Sequence, residues 1–172
     1  MFVVEEEERA RARGAPILAR VLGHATTQDA YRATAPRPDG ARALAAMERA
    51  LRKAELSPSD VGYVNAHGTG TLLNDVAEAK AIRALFGDVP VSSIKGAVGH
   101  LMAAAGAIEI AACLLPFTRD LLPGTAHHET LDPDCPIRVI GREPARARVD
   151  VVLTNSFGFG GQNVSVVLGR AA

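Results

Sequence analysis

A seven-residue stretch, Asn-Ala-His-Gly-Thr-Gly-Thr at residues 65–71, constrains the fold more than any other part of the sequence. It follows an apolar run at residues 61–64 and precedes a segment, residues 75–86, whose apolar residues recur at helical spacing. This order predicts a strand, a tight turn whose glycines permit positive φ, and a helix. In open α/β sheets, ligands bind beyond the carboxyl ends of the strands. The sequence therefore places His67 at a position suited to chemistry.

Two more stretches have the same design. Residues 92–100, which include Lys95 and His100, end a second predicted strand and begin a second helix. Residues 155–163 are rich in glycine and connect a third predicted strand to a fourth. We expect these three loops to converge on one pocket.

The whole pattern predicts an α/β chain that ends in antiparallel strands. Strands are predicted at residues 2–4, 16–22, 61–64, 89–94, 137–140, 149–153 and 164–168. One helix begins after an N-cap at Asp39, a second covers residues 75–86 after a cap at Asn74 or Asp75, and a third follows His100. Pro116 should kink or end the third helix because proline lacks an N–H. Residues 23–38 and 121–136 are predicted as loops.

The first two predicted strands raise a question of their own. Two strands alone are marginally stable in water, so this pair needs a sheet that residues 1–25 do not supply. An N-terminal hairpin packed on the body of this chain is one interpretation, which the pattern alone leaves open.

Composition narrows the classes of function. Lys and Arg number 19, as do Asp and Glu, so the chain has no net positive charge that would favour binding to nucleic acid or to an anionic membrane. Four glutamates follow Val4 at once, which excludes a signal-peptide pattern there. The longest run of low polarity, residues 101–117, contains Glu109 and is shorter than the roughly 20 apolar residues that a bilayer needs. We expect a cytoplasmic protein with neither nucleic-acid nor membrane partners.

The two cysteines match neither a disulfide framework nor the spacing of a metal site. Cys113 lies in a predicted Ala/Leu helix and Cys135 in a Pro-rich turn, so neither a disulfide nor a metal site is expected. His127 and His128 lack ligand spacing and acidic support, and we interpret them as loop residues. No cofactor is predicted.

Three polar residues suggest catalysis. His67 is a candidate acid, base or hydrogen-bond donor in a turn also formed by Thr69 and Thr71, although a lone histidine can be purely structural. A buried Lys95 would need a carboxylate, and Glu109 is the only acid in the following helix; a solvated lysine is the alternative.

The predicted position of His100 also indicates its protonation state. At a helix N-terminus the dipole favours the neutral imidazole, which can donate from one nitrogen and accept at the other.

The third loop has an electrostatic interpretation. Gly158, Phe159 and Gly160 form a segment whose backbone N–H groups can face a developing oxyanion, with Phe159 as a gate; a simple hairpin turn explains the same residues. Asn163 is assigned to fixing this loop.

Two acids at the start of the second helix are assigned differently. Asp75 and Glu78 invite an acid/base interpretation, but their place at the start of a helix favours capping and dipole matching.

Two histidines, a lysine and an oxyanion loop indicate acyl transfer or carbon–carbon bond chemistry on a thioester, which usually needs a nucleophile. Neither cysteine lies on a nucleophile elbow.

Taken together, residues 65–71, Lys95 with Gly99 and His100, and residues 155–161 resemble the C-terminal half of the β-ketoacyl-acyl-carrier-protein synthases. These are the elongating condensing enzymes of fatty acid and polyketide synthesis, with the thiolase fold. The resemblance implies a thiolase-like half: a five-stranded mixed sheet with helices on both faces, plus two N-terminal strands that complete the sheet of the other half. Residues 1–38 would hold those strands and a connecting loop, and residues 39–172 the C-terminal half.

The resemblance also implies roles. His67 and His100 would bind the malonyl thioester, promote its decarboxylation and stabilise the enolate. Lys95 would pair with Glu109. The N–H of Phe159 would complete an oxyanion hole with the N–H of a cysteine on the absent first half, and its ring would gate the acyl pocket.

Departures from the family pattern are few. Gln162 stands where Thr or His is common, His127 stands where Asn is usual, and Pro116 interrupts a helix that normally continues. The histidine at position 100 fits the elongating class.

The leading hypothesis is one subunit of a split ketosynthase. Its expected partners are an N-terminal half that supplies the cysteine, an acyl carrier protein, and malonyl and acyl thioesters, in a hetero-oligomer with two copies of each half. A non-catalytic partner resembling a chain-length factor, or a truncated piece of a full-length enzyme, are the alternatives.

Overall fold

The computed structural model describes residues 2–171. Its strands are β1 (Ala19–Gln28), β2 (Tyr63–Asn65), β3 (Pro90–Ser92), β4 (Leu121–Leu122), β5 (Arg138–Val139), β6 (Ala145–Arg146), β7 (Val151–Gly158) and β8 (Gln162–Arg170). Its α-helices are α1 (Glu7–Ala12), α2 (Ala41–Ala54), α3 (Leu72–Phe86), α4 (Lys95–Val98), α5 (Ala105–Ala112) and α6 (Leu115–Arg119), with 3₁₀ turns at Pro58–Asp60 and Met102–Ala104.

Six strands form one mixed sheet in the order β1-β8-β7-β2-β3-β5. β2 runs parallel to both β7 and β3, and β3 runs parallel to β5. β8 is antiparallel to β7 and to β1. β4 and β6 form a separate antiparallel pair. The predicted mixed α/β architecture is confirmed, with six strands in the main sheet instead of five.

The additional strand is β1, whose place differs from the prediction. β1 pairs with β8 from Ala19↔Arg170 to Gln28↔Gln162, so it forms one edge of this chain's own sheet. The predicted strand at residues 16–22 is thus part of β1, which continues into the predicted loop at residues 23–38. Residues 2–4 form no strand, and α1 follows them. Within residues 2–171 the predicted pairing of residues 2–4 with residues 16–22 does not form. The completion of another half's sheet by residues 1–38, and the division of the chain near residue 38, stay predictions.

Small side chains explain why the pattern of β1 was missed. Gly23, Ala25 and Thr27 point inward in alternation with exposed residues. A Cβ added to Gly23 would lie 2.4 Å from Ala50 O, because α2 packs directly on this strand. Such an alternation carries little hydrophobic signal, although it has the period of two that a strand requires.

Helices cover both faces of the sheet, as predicted. On one face, Val64 and Leu153 pack against α2 and α3, whose buried residues include Met47 and Ile82. On the other, neighbouring strand residues pack against α5 and α6. These are Tyr63, Val152 and Leu168, with Cys113 and Phe117 from the helical side. Adjacent residues of a strand, such as Tyr63 and Val64, point to opposite faces of the sheet, and here helices bury both faces.

The apolar region after His100 is broken into short helices. By length and composition alone, Met102–Arg119 could cross a membrane. In the structure it consists of a 3₁₀ turn, α5 and α6, and α6 begins with Pro116 in its first turn. The prediction that Pro116 interrupts this helix is confirmed. Glu109 of α5 is buried, so this helix places a charged side chain in the interior of the protein.

Candidate active site

His67 lies two residues beyond the end of β2, in the turn that leads to α3. The N–H of Ala66 donates to Ser92 O (2.9 Å), which joins this turn to the end of β3. Gly68 has φ 43°, and a Cβ added there would lie 2.6 Å from Ser93 Cβ. Glycine at 68 therefore lets two loops approach closely, and the buried His67 is held at their junction.

Lys95 reaches His67 from the second loop. It is 8% exposed, and its Nζ donates to His67 O and to the Glu109 carboxylate. The same Nζ lies 3.3 Å from His67 Nδ1. The predicted ion pair of Lys95 and Glu109 is confirmed, and the alternative of a solvated lysine is wrong.

The Glu109 carboxylate is only half satisfied. Burial raises its pKa, although the ammonium of Lys95 opposes the shift. Its Oε2 is buried and has no hydrogen-bond partner within residues 2–171. Lys95 is therefore its principal source of electrostatic stabilisation.

The imidazole of His100 faces that of His67. Their ring centroids are 5.5 Å apart and their planes cross at 83°. His100 follows α4, a helix that was not predicted, and Gly99 (φ 77°) ends that helix. His100 Nδ1 accepts the Met102 N–H at 3.2 Å. Two of the predicted loops thus bring their histidines together.

The protonation of both rings follows from their contacts. Burial, with smaller effects from the charges of Lys95 and His100, lowers the pKa of His67 to about 3, so this ring is neutral at pH 7. An ammonium has no lone pair, so His67 Nδ1 beside Lys95 is an acceptor and Nε2 carries the proton. His100 Nδ1 also accepts a hydrogen bond, from the Met102 N–H, so its proton lies on Nε2. Each imidazole therefore presents an Nε2–H donor.

The third loop contacts the site through a residue that the sequence analysis missed. The ring of Phe157, near the end of β7, lies 5.5 Å from that of His67 with an angle of 46° between their planes. Phe159 lies at the tip of the β7–β8 hairpin and is 73% exposed. Gly160 has φ 81°, which the tight turn requires. The gating and oxyanion roles of Phe159, flanked by Gly158 and Gly160, stay predictions.

Asn163 and Asp29 fix this hairpin. Asn163 Nδ2 donates to Asp29 Oδ1 (2.8 Å) and to Gly161 O (3.2 Å). The Asp29 N–H also donates to Gly161 O, at 2.7 Å. Asn163 therefore holds the loop as predicted, while Asp29 was hidden in a segment interpreted as a loop. The signal that could have found it is an acid directly after the alternation of β1.

Helix α3 begins earlier than predicted, so the two acids near its start are not caps. Its N-cap is Thr71, whose Oγ1 is hydrogen bonded to Thr69 Oγ1 at 2.9 Å. Asp75 lies within the first turn and accepts from the side chain of Asn74. Glu78 lies further along, 3% exposed, and its carboxylate accepts backbone N–H groups of the His67 turn. Neither acid is the N-cap, so the capping interpretation is wrong, but Asp75 lies in the first turn of α3, as the dipole interpretation requires. Glu78 is positioned by its contacts with the His67 turn and not by the helix end.

A cavity of about 460 Å³ extends from these residues. The turn at residues 68–72, Lys95 and His100 line it. His127 and His128, from the long loop before β5, line it as well. His127 has φ 62°, in the left-handed region where asparagine is more common. His127 and His128 lie in a loop, as predicted, and the structure adds that this loop lines the cavity.

Neither cysteine is poised as a nucleophile. Cys113 is fully buried, and burial raises the pKa of its thiol to about 12. Cys135 lines the cavity, but burial and the neighbouring Asp132 raise the pKa of its thiol to about 11. Thiolates are the reactive form, so both thiols are inert near neutral pH.

Comparison with known proteins gives one consistent family. Residues 18–129 match the family model "Beta-ketoacyl synthase, C-terminal domain". The chain is 43% identical over 170 residues to 3-oxoacyl-[acyl-carrier-protein] synthase 2 of Synechocystis sp., covering 96% of this chain and 41% of that relative. The chain thus spans about two fifths of the length of such relatives.

Solved structures agree with the sequence match. The ishigamide ketosynthase/chain length factor superimposes with a TM-score of 0.93 at 36% identity, covering 98% of this chain and 42% of that one. A type II polyketide synthase ketosynthase, in complex with its acyl-carrier protein, also has a TM-score of 0.93, at 34% identity and the same coverage. The chain therefore belongs to the β-ketoacyl synthase family and corresponds to its C-terminal domain.

Proposed function

We propose that this chain is the C-terminal subunit of a split β-ketoacyl-acyl-carrier-protein synthase. It would catalyse the decarboxylative Claisen condensation of malonyl-ACP with an acyl thioester in fatty acid or polyketide biosynthesis, with the nucleophilic cysteine on a partner chain. The observation that carries this proposal is the pair of imidazoles 5.5 Å apart, each with Nδ1 in a position to accept.

The two N–H donors suit the first chemical step. The thioester oxygen of malonyl-ACP accepts hydrogen bonds from Nε2–H of His67 and of His100. The bond between the α-carbon and the carboxylate breaks, CO₂ leaves, and the electron pair forms the enolate. Donors aimed at the developing oxyanion in a site of low dielectric stabilise the transition state more than the ground state.

The second step joins two carbons. The enolate carbon attacks the acyl carbonyl carbon held on the partner's cysteine, the carbon–sulfur bond breaks, and the sulfur leaves as thiolate. The N–H of Phe159, between Gly158 and Gly160, and the N–H of that cysteine would donate to the tetrahedral oxyanion. Both steps proceed without a change of oxidation state, so the scheme needs no redox cofactor.

The neutral state of His67 is important for this scheme. With a pKa of about 3, His67 does not gain a proton near neutral pH, so its Nε2–H remains a donor and Nδ1 remains an acceptor. Lys95 places a positive charge beside the ring, which favours negative charge on the bound oxygen.

The surface near the site supports a covering protein partner. Leu72, Met102 and Phe159, which adjoin the three loops, are 79%, 69% and 73% exposed. Only 28% of Met102–Arg119 is buried, although this segment is apolar. Exposed apolar side chains on three loops of the same site suit a surface that a partner covers.

The proposed partners follow from the family and from its solved complexes. They are a Cys-bearing N-terminal half, an acyl carrier protein and the malonyl and acyl thioesters, assembled as two copies of each half. Val3 and Val4 are 75% and 80% exposed, which suits an extended segment that another chain covers. A cytoplasmic location and the absence of nucleic-acid and membrane partners stay predictions.

Reconstitution tests the proposal. The chain is co-expressed with the part of the Synechocystis synthase that precedes its matched region, which supplies a candidate half with a cysteine. CO₂ release from malonyl-ACP and formation of 3-oxoacyl-ACP are then measured. We expect condensation only in the complex, and loss of condensation with H67A or H100A while the complex still assembles. E48Q, on the exposed surface of α2, is the matched control.

Three outcomes would contradict parts of the proposal. Condensation by the chain alone would exclude a cysteine from a partner. A complex that forms but never condenses would exclude the split enzyme, and full activity of H67A would favour a scaffold of the chain-length-factor type. The mass of the native protein tests whether the chain is a truncated piece.

A further inference from the structure

The loop that follows β1 is joined to the hairpin that adjoins the catalytic histidine. At the tip of the β7–β8 hairpin, the Gly160 N–H donates to Ala33 O at 2.6 Å. Phe157, from the same hairpin, lies with its ring 5.5 Å from that of His67. The loop at residues 29–37 therefore lies beside the candidate active site and is connected to it through this hairpin.

Buried contacts hold both ends of this loop. Asp29 is 5% exposed, and its Oδ2 accepts the Arg37 N–H at 2.8 Å while its Oδ1 accepts from Asn163. The side-chain amide of Gln28, at the end of β1, donates to Gly160 O. The exposed residues between these two ends therefore extend from a fixed base.

Arg32 is a cation in the middle of this loop, and its side chain is exposed. Its guanidinium lies over the ring of Tyr31, 5.3 Å from the ring centroid. None of the ion pairs formed within residues 2–171 includes it. Stacking on an aromatic face orients a guanidinium and leaves the N–H groups at its edge free to bind an anion.

The backbone around Arg32 offers further donors. In the part of the chain that the structure describes, the N–H groups of residues 31–34 donate to no backbone carbonyl, and all four residues are exposed. The planar fork of an arginine, with free backbone N–H groups beside it, is a donor set that suits phosphate.

The substrate of the proposed reaction carries such an anion. In malonyl-ACP the malonyl thioester ends a pantetheine arm, and the other end of that arm is a phosphate attached to the carrier protein. When the thioester lies between His67 and His100, the phosphate is separated from them by the whole length of the arm. A binding group for it is therefore expected at the surface beside the site and not among the catalytic side chains.

We propose that Arg32 binds the phosphate at the end of the pantetheine arm, and so favours carrier-bound malonyl thioesters over shorter thioesters that lack this phosphate. Arg32 takes no part in the chemical steps. Its effect on the reaction rests on the proposed function, but its contact with phosphate can be measured on this chain alone.

Nuclear magnetic resonance of the full chain gives the first test. The chain is titrated with 4′-phosphopantetheine and, separately, with pantetheine, which lacks the phosphate. We expect phosphopantetheine to shift the signals of the Arg32 Nε–H and of the amides of residues 31–34, with a Kd in the millimolar range because exposed charge pairs are weak. Pantetheine should leave these signals unchanged. Equal shifts with both ligands, or no shifts with millimolar phosphopantetheine, would overturn the proposal.

Three variants assign the effect to the side chain. R32A removes the guanidinium, and R32K keeps the charge but loses the planar fork and its stacking. R49A, the same change as R32A at an exposed position of α2, is the control. We expect the shifts caused by phosphopantetheine at residues 31–34 to disappear in R32A, to weaken in R32K and to persist in R49A. Wild-type shifts in R32A would contradict the assignment to Arg32.

Kinetics of the assembled complex give the second test. We expect R32A to raise KM for malonyl-ACP and for malonyl-CoA, which both carry a phosphate on the arm, by about fivefold, the size expected for one exposed charge pair. The kcat values and KM for malonyl-pantetheine should stay unchanged. An unchanged KM for malonyl-ACP, or an equal rise for malonyl-pantetheine, would overturn the proposal.

Two further outcomes are distinguishable. A rise in KM confined to malonyl-CoA would assign Arg32 to the nucleotide part of that molecule and would also overturn the proposal. Failure of every complex to condense would count against the split enzyme alone, because the titration with phosphopantetheine needs no partner.

Discussion

Replacing Lys95 with methionine (K95M) tests whether the ammonium holds the Glu109 carboxylate in the core. Methionine keeps most of the apolar volume but removes the charge and the hydrogen bonds to His67 O and Glu109. Glu109 is 1% exposed, and its Oε2 already has no partner in the described part of the chain. Removing one member of a buried ion pair costs about 3–5 kcal/mol, because the other charge is left uncompensated. We expect K95M to lose about that much unfolding free energy at pH 8.

The loss should be smaller in acid. Burial raises the pKa of Glu109, and Lys95 opposes that shift, so K95M raises the pKa further. A carboxyl with a higher pKa in the folded state than in the unfolded state stabilises the fold below its unfolded pKa. That contribution disappears as the pH rises through the folded pKa. The destabilisation by K95M should therefore grow between pH 5 and pH 8.

Urea unfolding at both pH values measures this effect. A loss of about 3–5 kcal/mol, with a slope of about 2 kcal/mol per molar, lowers the midpoint by about 2 M. The double variant K95M/E109Q leaves no unpaired charge and should recover most of the loss at pH 8. A K95M midpoint equal to that of wild type at pH 8, or a double variant no more stable than K95M, would refute the reasoning.

Three further predictions concern the turn, the histidine and the thiols. G68A should lower the unfolding free energy by about 1–3 kcal/mol more than G70A, because both glycines have positive φ but only a Cβ at Gly68 meets a neighbour within 4 Å; chemical denaturation measures the difference. The imidazole of His67 should show no midpoint between pH 4.5 and pH 8 in a ¹⁵N titration, since its pKa is lowered to about 3, and a midpoint near 6.5 would contradict its burial. The thiols of Cys113 and Cys135 have pKa values raised to about 12 and 11, so few of them are thiolates at pH 8. Both should react with iodoacetamide at least 50-fold more slowly than glutathione does. Labelling as fast as that of glutathione would contradict the conclusion that both thiols are unreactive.

Much of the site was predictable because its residues lie in local motifs. A strand, a glycine turn and a helix placed His67, and the only acid in the next helix identified the partner of Lys95. These patterns report local geometry, and the carboxyl ends of parallel strands meet at one edge of a sheet. The convergence of two histidine loops follows from that rule.

Contacts between distant segments were not predictable in the same way. Glu78 was interpreted as a cap from its distance to the helix start, but its partners come from the turn at His67 and from Asn155, 77 residues away. Phe157 was not singled out, because the alternation of β7 alone does not show that its ring turns toward His67. Such choices depend on packing between elements, which a local pattern does not contain.

The N-terminal strand illustrates the same limit from another direction. Gly23 and Ala25 of β1 have an alternation that a strand requires, but their small size removes the hydrophobic contrast by which strands are recognised. Their size is explained only by the backbone of α2 above them.

The pairing of the first and last strands has a consequence for biosynthesis. Ala19 pairs with Arg170, and Gln28 with Gln162, so β1 gains its strand neighbour only after residues 162–170 have been translated. Contacts so distant in sequence form slowly, because a long loop must close before they are gained. During elongation on the ribosome, β1 and α2 are therefore both synthesised long before β8, and a deletion of β8 would leave β1 without a strand to pair with.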